Sequence, residues 1–290
     1  MPAAAAALPQ KKPIDARWFS ASLLTLILAV GQWKYQILGD DYRGWAVAFG
    51  TSVLAEFVLF RLHVGGWAHI LSAYISGNSV AILLKPQGDL LWPYAVAALL
   101  SIGSKYVLRY EGKHLFNPTN FGICALLLLA PSQVSILSHQ WGNDWGIVLT
   151  IWVVGLVIVL RAKVWHLTIG YLALFAALAW VRTLFNHHDF RAEVGPITGP
   201  MYTLFVFFMV TDPKTIVSGR GKQLLVLLLI ALLECAIRMG IDFELISGDN
   251  PLAVAPGMYA LFFLGAPAFW LELRARRRQR LALAPAAAAA

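Results

Sequence analysis

Residues 222–241 read KQLLVLLLIALLECAIRMGI. An α-helix needs about 20 predominantly apolar residues to cross the hydrocarbon core of a bilayer, and this stretch supplies them. Its two interior charges, Glu234 and Arg238, are four residues apart and therefore share a helix face. Each charge alone costs about 2.5–3.5 kcal/mol at the bilayer centre, so the pair is expected to turn toward protein rather than lipid. Arg238 also lies near the outer end of its helix, from where it can snorkel. The reading of this stretch as a spanning helix sets the reading of the rest of the chain.

The same pattern recurs. Ten apolar segments run approximately over 18–38, 43–61, 67–85, 90–108, 114–134, 143–161, 163–181, 195–212, 222–241 and 251–273. Connections are short, so the expected organisation is a disordered tail over 1–16, a single polytopic membrane domain over 17–275 and a basic, then Ala-rich tail over 276–290. The fold class expected is all-α, integral membrane, with ten transmembrane helices. The first apolar run has no small-residue cleavage site behind it and reads as a retained helix.

Composition agrees. Of 290 residues, 59% are hydrophobic and 13% charged, against roughly 45–50% and 25% in a soluble domain. So little charge cannot cover a soluble surface, which excludes a soluble enzyme, a disordered chain and a nucleic-acid-binding protein. The net charge of +8 comes from clusters at segment ends. With the N-terminus in the cytoplasm, only Lys34, Arg43, Lys85, Arg182 and Arg191 face outward and Arg238 lies within a span. The remaining 17 of the 23 Lys and Arg face inward, a strong positive-inside signal that puts both termini in the cytoplasm. Tryptophans near segment ends (Trp18, Trp45, Trp67, Trp92, Trp145, Trp165, Trp270) read as an interfacial belt.

Short matches recur at an offset of five segments. Ile75-Ser76-Gly77 and Lys85-Pro86 in the third segment pair with Ile197-Thr198-Gly199 and Asp212-Pro213 in the eighth. Asn117-Pro118 and Ala130-Pro131 in the fifth pair with Asn250-Pro251 and Ala266-Pro267 in the tenth. An odd offset gives halves of opposite orientation, the mark of two inverted five-helix repeats whose interrupted helices flank a site near the midplane.

Three constellations carry polar chemistry. In His114-Leu-Phe-Asn117-Pro118-Thr119-Asn120-Phe-Gly122, Asn-Pro starts a helix whose free N–H groups carry partial positive charge. That end can hold an anion or a ring carbonyl, or be capped by Asn117 itself. In Phe207-Phe-Met-Val-Thr211-Asp212-Pro213, a spanning helix stops. Asp212 there either caps the following turn or accepts hydrogen bonds from a ligand. The third comprises Glu234, Arg238 and the isolated Glu56, for which Arg61 is the expected neutraliser. Cys124 and Cys235 read as buried, inert thiols. No His, Cys or carboxylate spacing indicates a metal, and His187-His188-Asp189 reads as a solvated loop. No nucleophile–base pair or nucleotide fingerprint is present.

The stretch from Ser104-Lys105-Tyr106 through Gly122 resembles the "FNP" region of the RnfD/NqrB family of membrane electron-transport subunits. Residues 207–213 resemble that family's "FFxxTDP" signature. The likeness extends over roughly residues 17–275 and is nearest the standalone branch found beside enediyne biosynthesis genes. It implies two inverted five-helix repeats, a bacterial-type cell (inner) membrane, a flavin (FMN or riboflavin) and one-electron traffic across the bilayer. By the same likeness Asn117, Pro118, Thr119, Asn120, Thr211, Asp212 and Pro213 shape the flavin region. The family's Ser/Thr-Gly-Ala-Thr site for covalent FMN is absent. Its nearest pieces, Ser76-Gly77-Asn78-Ser79 and Thr198-Gly199-Pro200-Met201, do not end in Thr, which leaves noncovalent flavin or none. Tyr202, Phe205, Phe207 and Phe208 recur at near-helical spacing and read as core packing, with ring stacking as the alternative. The implied partners are the lipid bilayer and a separate redox protein, with no nucleic acid and no independent catalytic site. A small-molecule transporter or channel on the same inverted-repeat fold is the competing expectation.

Overall fold

A computed structural model describes residues 16–38, 41–136 and 145–288. The N-terminal tail expected over 1–16 lies almost wholly outside these residues. The described chain is built from helices, with four short strands at their ends. In order the first helices are α1 (Ala16–Tyr35), α2 (Arg43–His63), α3 (Ile70–Leu83), α4 (Trp92–Val107), α5 (Pro118–Leu129) and α6 (Trp145–Arg161). Then come α7 (Trp165–Asn186), α8 (Phe190–Val194), α9 (Pro200–Leu204), α10 (Arg220–Asp242), α11 (Pro251–Val254) and α12 (Pro256–Ala288). A 3-10 turn over Gly195–Thr198 links α8 to α9, and a π-helical turn over Phe205–Val210 continues α9. Each of the ten apolar segments thus contains helix.

By length and apolarity, α2, α7 and α10 can each cross a membrane, and a fourth crossing is formed if Phe190–Thr198 and Pro200–Val210, bent by 62°, act as one span. The helices α3, α5 and α6 are apolar but shorter, at 14, 12 and 17 residues. At 1.5 Å per residue α5 rises about 18 Å, well short of a ~30 Å core. The basic segment from 276 is helical, as α12 runs on to Ala288. A run of Arg, Leu and Ala has high helix propensity, and the preceding turns of α12 supply the nucleus.

Helix ends follow local chemistry. Asn117 Oδ1 accepts from the Asn120 N–H at 3.1 Å and Pro118 occupies the first turn of α5. Asn250 Oδ1 accepts from the Leu252 N–H at 3.0 Å and Pro251 opens α11. Strand β1 (Leu84–Pro86) pairs antiparallel with β4 (Val134–Ile136), tying the end of α3 to the end of α5. Strands β2 (Arg109–Tyr110) and β3 (Lys113–His114) form a hairpin between α4 and α5. Its two turn residues, Glu111 and Gly112, have φ of +51° and +76°, as a two-residue turn matched to strand twist demands.

The core runs through all the long helices, with Ile82, Leu127, Ile147, Tyr171, Phe207 and Tyr259 fully buried. Helix α2 packs on α3 and α4, α4 on α5, and α1 on α3. Further along, α7 packs on α8 and α10, α10 on α12, and α6 on α9. Between these groups α1 meets α6 and α5 meets α12. Close approach uses small residues: a Cβ on Gly77 would stand 2.9 Å from the Phe49 Cα of α2. The opposite faces stay apolar. Leu224, Leu225, Leu228, Leu229 and Leu232 of α10 are all exposed, as are Trp18, Trp67, Trp92, Trp145 and Trp165. An apolar face of that extent needs an apolar solvent.

Candidate functional site

The two polar motifs, 95 positions apart, meet. The Asn117 amide donates to Asp212 Oδ2 at 3.0 Å, so the start of α5 abuts the stop that follows the π-helical turn. Asn117 caps its own helix with the carbonyl oxygen and reaches Asp212 with the nitrogen. Asp212 Oδ1 accepts from the Lys214 N–H at 3.0 Å. Pro213 is exposed at the stop. Both Asn117 and Asp212 are half-buried, so the pair lies at the edge of the bundle, here called the mouth, rather than in the core. Beside it stand three half-buried rings: Phe116 lies 5.0 Å from Phe121 and 5.3 Å from Phe262, and Phe121 lies 5.6 Å from Phe262. His114 is half-buried on the hairpin before α5 begins.

The other motif residues point inward. Thr119 and Asn120 are buried, and the Asn120 amide donates to the Met258 carbonyl of α12 at 3.1 Å. The Thr211 hydroxyl donates to the Phe207 carbonyl. Such back-bonding satisfies the hydroxyl within its own turn. The Tyr259 hydroxyl donates to the Cys124 carbonyl at 3.3 Å. These bonds stitch α5 to α12. Next to the motif is a void of about 30 Å³ bounded by Met209, Thr215, Gln223 and Leu261, room for about one water. A larger open groove of about 410 Å³ lies elsewhere, lined by Leu28, Trp33, Tyr42 and Trp45. Its Gln32 already bonds the Tyr42 hydroxyl and the Leu38 N–H.

The aromatic run belongs to the core. Phe205 and Phe207 are buried, Phe207 lies edge-on to Trp152 at 5.3 Å, and a Cβ on Gly155 would meet its ring at 2.4 Å. Tyr202 joins a second polar centre. Glu234 takes Arg238 Nη2 at 2.8 Å and Nε at 3.0 Å on one oxygen. Its other oxygen takes the hydroxyls of Tyr171 at 2.5 Å and Tyr202 at 3.0 Å. Arg238 covers the rings of Phe175 and Tyr202, at 5.2 and 5.9 Å. Four donors fill the carboxylate, so the expected inward pair is present and serves packing.

Glu56 is neutralised, but not by Arg61. Lys105 of α4 makes the ion pair and also donates to the Ser72 hydroxyl at 2.7 Å. Arg61, near the end of α2, instead reaches the Gly65 carbonyl. A partner one turn along the same helix cannot follow a carboxylate turned onto a neighbouring helix. Glu56→Gln leaves the half-buried ammonium without its carboxylate and is expected to cost about 2–3 kcal/mol. The double variant E56Q/K105M should recover most of that loss in detergent unfolding. Equal losses in both variants would show that the stranded ammonium is not the cause of the loss.

At the far end of α7, Arg182 bridges Glu193 and Asp242, and the Asn186 amide donates to both carboxylates. The loop expected to be solvated is exposed at His187, His188 and Asp189; from it His188 Nδ1 rests 3.0 Å from Glu193 Oε1 and Asp189 caps α8. His188, Glu193 and Asp242 converge closely enough to suggest a cation, but the Arg182 guanidinium already lies between the two carboxylates. Sequence reasoning missed Lys105, Arg182 and the π-helical turn. For Lys105 the available signal was its position inside an apolar segment, where a lone ammonium needs an acid.

Neither a protein-family model nor a curated relative matches this chain.

Proposed function

We propose that the chain is a polytopic membrane subunit of RnfD/NqrB type that binds a noncovalent flavin and serves transmembrane electron transport. The observation carrying this reading is the Asn117–Asp212 contact, which joins the two signature segments at one mouth. On this reading all ten apolar segments lie in the membrane as two inverted repeats. The packing supports that arrangement. Contacts α1–α3, α2–α3, α2–α4 and α4–α5 have counterparts five segments on in α6–α9, α7 with the Phe205–Val210 turn, α7–α10 and α10–α12. Two helix contacts between the groups, α1–α6 and α5–α12, each join a segment to its own counterpart. The Asn-Pro caps of α5 and α11 correspond in the same way.

The residues at the mouth suit a flavin. Asn117 has a second amide N–H, and Asp212 has lone pairs beyond those in use. Together they can match one carbonyl and the adjacent N–H of the pyrimidine edge of an isoalloxazine ring. Phe116, Phe121 and Phe262 offer apolar faces beside them. The neighbouring void is too small for a ring, so a flavin would sit at the half-buried mouth. When bound, the flavin supplies the one-electron chemistry, and the protein supplies position and electrostatics. Asn117 and Asp212 would orient the pyrimidine edge. Asn120, through Met258, holds α5 against α12 so that the mouth keeps its shape.

The test is an absorbance spectrum of detergent-purified protein before and after acid precipitation. A flavin spectrum released to the supernatant is expected, and N117A/D212N should lose at least tenfold in retained flavin while eluting as folded protein. A protein that stays colourless after FMN or riboflavin is added back sinks the reading and turns attention to solute flux in liposomes.

A further inference from the structure

The end of the bundle that carries Asn117 and Asp212 is strongly electropositive. The hairpin β2–β3, the loop after Thr211 and the α12 helix pack together there through Tyr110, Leu115, Val217, Phe269 and Leu273. Their acids are already engaged. Asp212 holds Asn117; Glu111 holds Arg277 and Arg280; Glu272 holds Arg276 and the Ser218 N–H. Lys113, Lys214, Arg220, Lys222, Arg274 and Arg278 are exposed. Among the described residues no carboxylate pairs with any of the six.

Positive charge beside a membrane is ordinary, and anionic headgroups often answer it. The arm of α12 differs in reach. Its 33 residues extend about 50 Å, and a ~30 Å hydrocarbon core uses only about 20 of them. Arg278 and Arg280 stand about 12 and 15 Å along the axis beyond Trp270. That exceeds the ~8 Å Debye length at physiological salt. The arm is also held in place: Glu111 at the hairpin tip takes Arg280 at 2.5 Å, and Tyr110 packs edge-on against Trp270. A fixed basic arm standing off the bilayer, beside a basic rim, fits a partner in the aqueous phase.

We propose that this end docks an acidic, soluble one-electron carrier protein over the Asn117–Asp212 mouth. The carrier's redox role rests on the electron-transport reading, whereas its acidity follows from the rim and the arm. Opposed charge would speed encounter and make binding salt-dependent.

The test uses the full chain in nanodiscs of zwitterionic lipid, with a purified acidic flavodoxin as probe. Binding is expected at low salt and should weaken at least tenfold between about 20 and 200 mM salt, as screening shortens the reach of exposed charges. R274E/R278E should weaken low-salt binding at least tenfold. R220E/K222E, on a separate element, is the second variant should the first fold poorly. No salt-sensitive binding of the flavodoxin to the unaltered chain overturns the proposal. So does unchanged flavodoxin binding in variants that lose retention of phosphatidylglycerol, since the rim would then serve lipid. Binding is read without any cofactor in the chain. A colourless chain that still binds the acidic probe therefore defeats the electron-transport reading alone, and a flavin-bearing chain that ignores it defeats the docking proposal alone.

Discussion

Replacing Glu234 by alanine is expected to remove about 3–5 kcal/mol of stability, the usual cost of stranding one partner of a buried ion pair. The carboxylate is 1% exposed and accepts from Arg238, Tyr171 and Tyr202. Without it, a guanidinium and two hydroxyls lose their acceptor in an apolar bundle, where unmet polar groups are costly. The effect is one of pairing rather than of a charge beneficial in itself. The double variant E234A/R238M should therefore recover more than half of the loss, because replacing both ions with apolar groups is often close to neutral. Unfolding midpoints in detergent read both. A double variant as damaged as the single would mean that packing around Gly257, whose Cβ position lies 3.2 Å from the Glu234 carboxyl carbon, dominates.

Gly122→Ala is expected to cost about 3 kcal/mol, the upper part of the usual range for overpacking. A Cβ there would stand 2.0 Å from Ser101 Oγ, 2.5 Å from the Ala97 carbonyl oxygen and 2.9 Å from the Ser101 N. The hydroxyl can turn away, but the backbone of α4 cannot, so α4 and α5 must separate. Removing the hydroxyl with G122A/S101G should therefore restore only part of the stability. Gly103→Ala is the control. It lies on the same helix α4 with nothing within 4 Å of its Cβ position, and alanine there should be neutral or stabilising by up to about 1 kcal/mol. Because α5 carries Asn117, G122A should also disturb the mouth, lowering flavin retention where G103A leaves it intact.

Much of this was legible in the chain. Ten apolar segments, an Asn-Pro cap at 117 and a stop at Thr211-Asp212-Pro213 are local facts, set by hydrophobic runs and by what proline and asparagine do to a helix end. The inward turn of Glu234 and Arg238 was legible for the same reason, since four residues on a helix is a fixed distance. Partner choice between helices was not. Glu56 reads as a neighbour of Arg61, yet pairs with Lys105, 49 positions away. Arg182 reads as a loop charge, yet is buried between Glu193 and Asp242.

The sequence by itself determined the helical class, the apolar faces and the helix boundaries near the motifs, because these depend on residues within a turn or two of each other. Only the tertiary structure decided that Asn117 meets Asp212, that α5 is stitched to α12, and that the basic end of α12 stands fixed beside the mouth. Those facts depend on which helices become neighbours. That choice is made by close-packed shape, at positions such as Gly77 and Gly122, which local pattern does not encode.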